Sequence, residues 1–415
     1  MKSHFYTNKS CRLCGGVELA LVAPLGESPI SEKYLTVDNL AETSLSAPLD
    51  MYYCQSCYHV QLVDVIDPEF LWSDFTFQTG RDLKLVQHFQ NYAGKVRDFG
   101  KLSSEDLVVD VGSNDGTLLE CFKELGFANV LGIDPATEIV EAANQRGINT
   151  ISGFMNDETS ERIRKEYGKA KLITANNVYA HVDDLSGMTR AIKNLLSGDG
   201  LFVFEASYLL DVVEKNLIGT IFHEHLSYHS LISLEPFLKN HGLEIVHVER
   251  GPEQGGSIVG YVQHNGGPYE RRTSVQELLQ LEAQAGLHES ETVRAMYQRL
   301  EELKSHIVEF AESARSDGKV LSGFGAARAG TTLLSYFGIG KHLSHLFDDN
   351  ESKHFKFSPG DKLEVLPTSN IYRVKPDALL ILAWIHADKI IASHQQYLRE
   401  GGRFVRLFPK FEVIS

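Results

Sequence analysis

No apolar run in this chain approaches the roughly 20 residues that a membrane-spanning helix requires. The opening Met1-Lys2-Ser3-His4-Phe5 lacks the apolar core of a secretory signal, so a cytoplasmic location with no membrane partner is expected. Cysteine is scarce, and five in 415 residues do not make a disulfide framework. Positive charge is short as well. With 40 Lys and Arg against 55 Asp and Glu, the formal charge of −15 argues against a nucleic-acid partner, so any phosphate must be met locally. No heptad seam or repeat announces an interface, and a monomer is expected. The length exceeds what one hydrophobic core usually supports, so two or three domains are expected.

What the chain does carry is centred on Val108-Val109-Asp110-Val111-Gly112-Ser113-Asn114-Asp115-Gly116-Thr117, followed by a helical run and Val130-Leu131-Gly132-Ile133-Asp134. This reads as a buried strand, a tight glycine turn, a helix and a second strand ending in an acid, the unit from which a doubly wound α/β sheet builds a nucleotide crevice. The turn lacks GxGxxG spacing. Gly112 and Gly116 let backbone amides of the turn, including Ser113 and Asn114, approach a ligand, and Asp134 is placed to accept both hydroxyls of a ribose. The plainer reading is a turn glycine and a surface acid in an ordinary parallel sheet, but glycines, acid and strand order agree on the crevice. The spacing Asp110-x-Gly112-x-Asn114-x-Gly116 resembles the first motif of class I S-adenosylmethionine (SAM) methyltransferases. Further strands are expected at 149–151, 170–177 and 200–205, with an antiparallel pair at 243–248 and 257–263. Phe154 follows the third strand, where the adenine of SAM would lie, and Asn176 and Asn177 end the fourth, near the methyl group.

Cys11-x-x-Cys14 and Cys54-x-x-Cys57 have the form of two zinc knuckles, four thiolates for one structural Zn²⁺ that replaces a missing core. Four cysteines leave no open position for catalysis by the metal. Cys121 reads as a buried helix residue. An aromatic stretch from Phe70 leads into a helix over 81–99, and its rings either cap the pocket or pack on the next domain.

Between the fifth strand and the antiparallel pair lies Phe222-His223-Glu224-His225-Leu226-Ser227-Tyr228-His229. A zincin requires His-Glu-x-x-His, which this run does not provide. A metal site from His225 and His229 at helical spacing ranks below base catalysis by Glu224 and His225, and His223 or His229 individually are compatible with core hydrogen bonds. A polar helical stretch over 275–315 then leads to Gly323-Phe324-Gly325-Ala326-Ala327-Arg328, a second strand, glycine turn and helix. That unit suits either a phosphate, with Arg328 pairing a diphosphate, or close helix–strand packing.

The ordered set of these motifs, with Asn176-Asn177-Val178-Tyr179-Ala180-His181 and Gln254-Gly255-Gly256-Ser257, resembles the SAM-dependent sugar C-methyltransferases over essentially the whole chain. The resemblance implies a zinc-binding domain (1–67), a Rossmann-like SAM domain (68–270, with 68–100 a helical lead-in), a helical connector (271–316) and a Rossmann-like α/β domain (317–415) that helps hold a nucleotide sugar. It implies His225 as the base that takes a proton from C3 of a nucleoside-diphosphate 4-keto-6-deoxy sugar, with Glu224 adjusting its tautomer or contacting the sugar. His181 would donate to the C4 oxyanion. Phe222, His223, Gly323, Gly325 and Arg328 are the expected substrate contacts.

The sequence departs from the family pattern at Phe222 and at Phe77 or Thr76, where tyrosines are usual, and at Val259, where a basic residue is usual. Phenylalanine keeps the ring and loses the hydroxyl, which predicts a different sugar or a shifted set of donors. The competing readings are an O- or N-methyltransferase or enolising epimerase on the same scaffold, and a zinc-dependent scaffold that catalyses nothing.

Overall fold

The computed structural model describes residues 4–72, 79–81 and 83–415. Three sheets organise them. The first is built by β1 (Leu19–Ala23), β2 (Met51–Cys54) and β3 (Val60–Leu62), joined antiparallel in the order β1-β2-β3. β2 and β3 are joined by the turn that carries Cys57, so strand pairing itself brings the second cysteine pair together.

The central sheet has seven strands: β4 (Val108–Val111), β5 (Val130–Asp134), β6 (Thr150–Ser152), β7 (Ala170–Asn176), β8 (Leu196–Ser207) and, further on, β10 (Leu243–Gly251) and β11 (Ser257–His264). Their order is β6-β5-β4-β7-β8-β11-β10; the first five run parallel and β11 is antiparallel to both of its neighbours, so β10 again runs with the first five. The expected crevice follows from this order, because the chain reverses direction across the sheet between β4 and β7, leaving their carboxyl ends open. Val108, Val109 and Leu131 are fully buried, as the continuous apolar runs require when helices cover both faces. The lead-in helix α1 (Leu83–Gly100) buries Phe89, Tyr92, Ala93 and Val96 on one face, and α2 (Thr117–Glu124) follows directly on Gly116 as its N-cap. Cys121 lies inside α2, buried as expected.

β9 (Ser227–Tyr228) leaves the central unit and pairs with β3 as the fourth strand of the cysteine-bearing sheet, Ser227 opposite Gln61 and Tyr228 opposite Val60. The polar stretch over 275–315 is two helices, α3 (Thr273–Gln284) and α4 (Ser290–Ser316), broken at Gly286, which has φ +75°. The last sheet has six strands, β12 (Leu321–Phe324), β13 (Leu343–Asp348), β14 (Val365–Pro367), β15 (Ala378–Ile381), β16 (Arg403–Arg406) and β17 (Glu412–Ile414), in the order β14-β13-β12-β15-β16-β17. Only β17 runs antiparallel. α5 (Arg328–Phe337) follows the glycine turn after β12.

The three sheets are not beads on a string. One cluster of buried side chains runs from Met51, Tyr53 and Leu62 through Tyr179, Leu226 and Tyr228 to Leu333, Phe337 and Phe408. Among the described residues, no helix is long and apolar enough to cross a membrane.

Candidate active site

The cofactor crevice is shaped by backbone that only glycine adopts without strain. Gly112 has φ +72°, and a Cβ there would lie 2.1 Å from Val178 Cγ2, so β4 and the loop after β7 approach too closely for any side chain. Asn114 has φ +51° and donates its backbone N–H to Asp134 Oδ2 at 2.9 Å, while Ala136 N–H donates to Asp134 Oδ1 at 2.9 Å. The acid is thus aimed from the end of β5. Its burial pushes its pKa up against the pull of these two N–H groups. Below it, Asp110 is fully enclosed and pushed up to about 7 by burial, while Thr174 donates to it at 2.6 Å.

Ser113 Oγ and both polar atoms of the Asn176 side chain are buried without a partner of ordinary hydrogen-bond geometry among the described residues. Buried polar groups are nearly always paired, so these fit a cradle completed by a polar ligand. Asn177, at φ +55°, donates its N–H to Glu205 O at 2.8 Å. Phe154 stands at the rim, 46% exposed.

The histidine-rich run is a turn and then β9, not a helix, so His225 and His229 do not share a helical face. His225 Nδ1 sits 2.7 Å from Thr220 O, which assigns the proton to Nδ1 and leaves Nε2 with its lone pair. Burial pushes the His225 ring down to about 4, opposed by Thr220. His181 stacks on it with centroids 5.0 Å apart, and Trp72 stacks on His181 with centroids 5.6 Å apart. Burial, then the neighbouring His225 and Arg328, hold His181 well below its ordinary value, and its Nε2 is buried with no partner among the described residues. Phe222 lies 4.0 Å from the His225 ring, centroid to centroid.

Glu224 does not touch His225. Its carboxylate takes Arg328 Nε at 3.0 and 2.7 Å, so the expected tuning of the base by Glu224 is replaced by tuning through Thr220. Burial pushes the Glu224 carboxyl up and Arg328 draws it down. Lys353 Nζ lies 2.9 and 2.8 Å from the Glu32 carboxylate and donates to Ala326 O at 2.6 Å, adding a second ion pair beside the turn that precedes α5. His223 faces elsewhere, its Nε2 3.0 Å from Ala47 O, and His229 Nε2 lies 3.2 Å from Tyr179 O. Both make the core hydrogen bonds that were the plainer expectation for them.

In the last sheet, a Cβ on Gly323 would lie 2.6 Å from Leu346 Cδ2 and one on Gly325 would lie 2.5 Å from Ala383 Cβ, so both glycines serve close packing. Arg328 alone of that motif reaches the histidines' neighbourhood. The turn repeats the device of the first crevice: Asp348 Oδ2 accepts Ala326 N–H at 2.6 Å and its Oδ1 accepts Asn350 N–H at 2.7 Å. Val259 is a core residue of β11, packed beside Tyr92 and Tyr261. Phe77 and Thr76 lie outside the described residues.

Sequence reasoning placed Trp72 only among the rings of the aromatic stretch that either cap the pocket or pack on the next domain, and did not find Thr220, Glu32 or Lys353. Nor did it find the chain His88–Glu205–Ser257, in which Glu205 lies 2.7 Å from His88 Nε2 and accepts Ser257 Oγ at 2.7 Å. Burial pulls His88 down and Glu205 outweighs it, holding the ring above its ordinary value.

Cys11, Cys14, Cys54 and Cys57 bring their sulfurs within 4.8 Å of one another, with Cys11–Cys57 at 3.5 Å and Cys14–Cys54 at 3.6 Å. Tetrahedral Zn–S bonds of about 2.3 Å place sulfurs about 3.8 Å apart, so the cluster fits Zn²⁺ with no open position.

Fold and site together define a class I methyltransferase with a zinc domain and a second α/β sheet. Family models match in that order: "Putative zinc binding domain" over residues 11–72, "Methyltransferase domain" over 86–248 and "C-methyltransferase C-terminal domain" over 252–409. The chain is 33% identical over 406 residues to the C-methyltransferase NovU of Streptomyces niveus, covering 98% of this chain and 96% of that one. It belongs to this C-methyltransferase family and is a SAM-dependent C-methyltransferase with a four-cysteine zinc site. Among solved structures, magnesium protoporphyrin IX methyltransferase of Synechocystis PCC 6803 with bound SAH is 18% identical, covering 46% of this chain and 90% of that chain at a TM-score of 0.34. A SAM-dependent methyltransferase of Clostridium acetobutylicum is 14% identical, with 44% and 92% covered at 0.34.

Proposed function

We propose that this enzyme methylates C3 of a nucleoside-diphosphate-linked 4-keto-6-deoxy sugar through an enolate formed by His225. The observation that carries the reading is the buried His225 ring, with Nδ1 committed to Thr220 O and Nε2 left to accept a proton. SAM supplies an electrophilic methyl group. A sugar carbon becomes a nucleophile only when a neighbouring ketone lets its proton leave. Nε2 of His225 takes the C3 proton, and the C–H electron pair moves into the C3–C4 bond as the C4 oxygen gains charge. The Nε2 of His181, stacked on the base, serves as donor to that oxygen when protonated on that atom.

Phe222 holds the position of a tyrosine in the family pattern and offers no proton, which leaves the histidine pair as the acid–base groups in this corner. Arg328, at the first residue of α5, is the cation positioned for a diphosphate, and substrate would compete with Glu224 for it. Asn176, Ser113 and Asp134, with the turn amides, are the expected SAM contacts, and Phe154 lines the adenine side.

The test is mass spectrometry of the full-length protein with SAM and a panel of such sugars in D₂O, with NMR to place any new carbon. His225→Asn should abolish methylation and deuterium uptake at C3 while SAM binding persists. Methylation by His225→Asn at the wild-type rate would rule out His225 as the base, and deuterium uptake by wild type without an added methyl would favour enolisation alone.

A further inference from the structure

Arg12 stands between two zinc-ligand cysteines, Cys11 and Cys14, yet its side chain is fully buried. Its backbone N–H donates to Gln61 Oε1 at 2.9 Å, which fixes the knuckle against β3. Its Nε donates to Asp183 Oδ1 at 2.9 Å, and its Nη1 donates to Leu62 O and, at 3.3 Å, to Leu226 O. Asp183 lies two residues beyond His181, and Leu226 is the residue after His225. One guanidinium therefore grips both loops that carry the stacked rings.

Other contacts join the same two loops and the same sheet. Ser227 N–H donates to Ala180 O at 3.0 Å, Leu62 N–H donates to Leu226 O at 3.0 Å, and His59 Nε2 lies 3.2 Å from Ser227 Oγ. Asp183 also accepts Tyr6 Oη at 2.6 Å and Asn8 Nδ2 at 3.1 Å, so the acid is held by the N-terminal strand as well as by the knuckle. Arg12 Nη2 is buried with no acceptor among the described residues. An enclosed cation with an unpaired N–H is poor packing, and apolar groups of similar volume often serve stability as well or better. What an apolar residue cannot do is fix two backbone segments through a rigid planar fork.

The geometry points to Arg12 as a positioning residue for the His181–His225 pair, coupling the cysteine knuckle to the placement of both rings. The zinc domain is then part of the active-site scaffold, beyond its own folding. This rests on the assignment of His225 as the base. Ring placement matters because a displacement of about 1 Å between reacting groups costs on the order of 10²-fold in rate.

The experiment uses full-length Arg12→Lys, Arg12→Met and Asp183→Asn, with ¹³C-labelled histidine so that the His181 and His225 ring resonances are read directly, assigned with the His225→Asn spectrum. Zinc content, SAM affinity, kcat and KM are measured on each. The expected result is wild-type zinc and SAM affinity, displaced resonances for both rings, and kcat down on the order of 10²-fold in Arg12→Met with KM little changed. Arg12→Lys should recover part of the loss, and Arg12→Lys combined with Asp183→Asn should be no worse than the weaker single variant. Unchanged resonances and kcat with only a lower Tm would overturn the proposal and make Arg12 purely structural. Loss of zinc from Arg12→Lys would overturn it too, because the residue would then serve the knuckle. If Arg12→Met does not fold, the Lys and Asp183→Asn variants carry the same comparison. A fully active His225→Asn would sink the base assignment separately, since the ring resonances report on Arg12 whichever group takes the proton.

Discussion

His225 illustrates how burial and one carbonyl set a residue's chemistry. With its pKa pushed down to about 4, the ring is neutral well above that value, so protonation of His225 in the free enzyme should produce no acid limb near 6.5. The kcat/KM profile should accordingly stay flat down to about pH 5, and a limb at the ordinary histidine value would show that the ring is solvated. Glu224→Gln separates two roles. Since Glu224 holds Arg328 and not His225, the amide should change KM for the methyl acceptor and leave the pH profile of kcat where it is. Gly112→Ala should weaken SAM binding and cost about 2 kcal/mol or more of stability, because the added methyl meets Val178 in a left-handed backbone; calorimetry and thermal melts measure the two effects. The cysteines, Asp134 and the His223–His229 run were legible because each motif is local in sequence. Thr220 and Arg12 were not, since their roles depend on which distant loop they meet.

At the scale of elements, β9 carries the most information for its length. Two residues, Ser227 and Tyr228, complete the zinc-domain sheet directly after the turn that carries His223, Glu224 and His225. Chelation of zinc should therefore raise amide hydrogen exchange across residues 225–228 before the central strands lose protection, and equal loss in both places would show that the sheets unfold as one unit. The strands of the central sheet could be read from their apolar runs, and the antiparallel pair from its spacing. β9 could not, because a two-residue strand has no periodicity. Nor did the pattern fix the break between α3 and α4, where Gly286 at φ +75° turns the chain in an otherwise helical composition.

For the whole molecule, the enclosed histidines set the acid limit of stability. His223, His225 and His229 are each pushed down to about 4 by burial, whereas in the unfolded chain they titrate near 6.5. Between those values the unfolded state binds more protons, so their stabilisation is complete above about pH 6.5 and is lost as pH falls toward 4. Asp110, raised to about 7, acts in the opposite sense and offsets part of this. Tm should fall between pH 7 and pH 5, and His223→Gln should flatten that slope; a slope unaltered by the substitution would mean that His223 is not the enclosed neutral ring described. The domain succession was readable from motif order, but the shared core was not, because long-range packing leaves no mark on local pattern.

The Glu224–Arg328 pair joins the turn before β9 to the first residue of α5, two segments more than a hundred residues apart in the chain. Exchanging the C-terminal segment between relatives would strand a buried carboxylate unless the incoming segment brings its own arginine to the same helix start. Recombination of these enzymes by parts thus has a seam that must be inherited from both parents together.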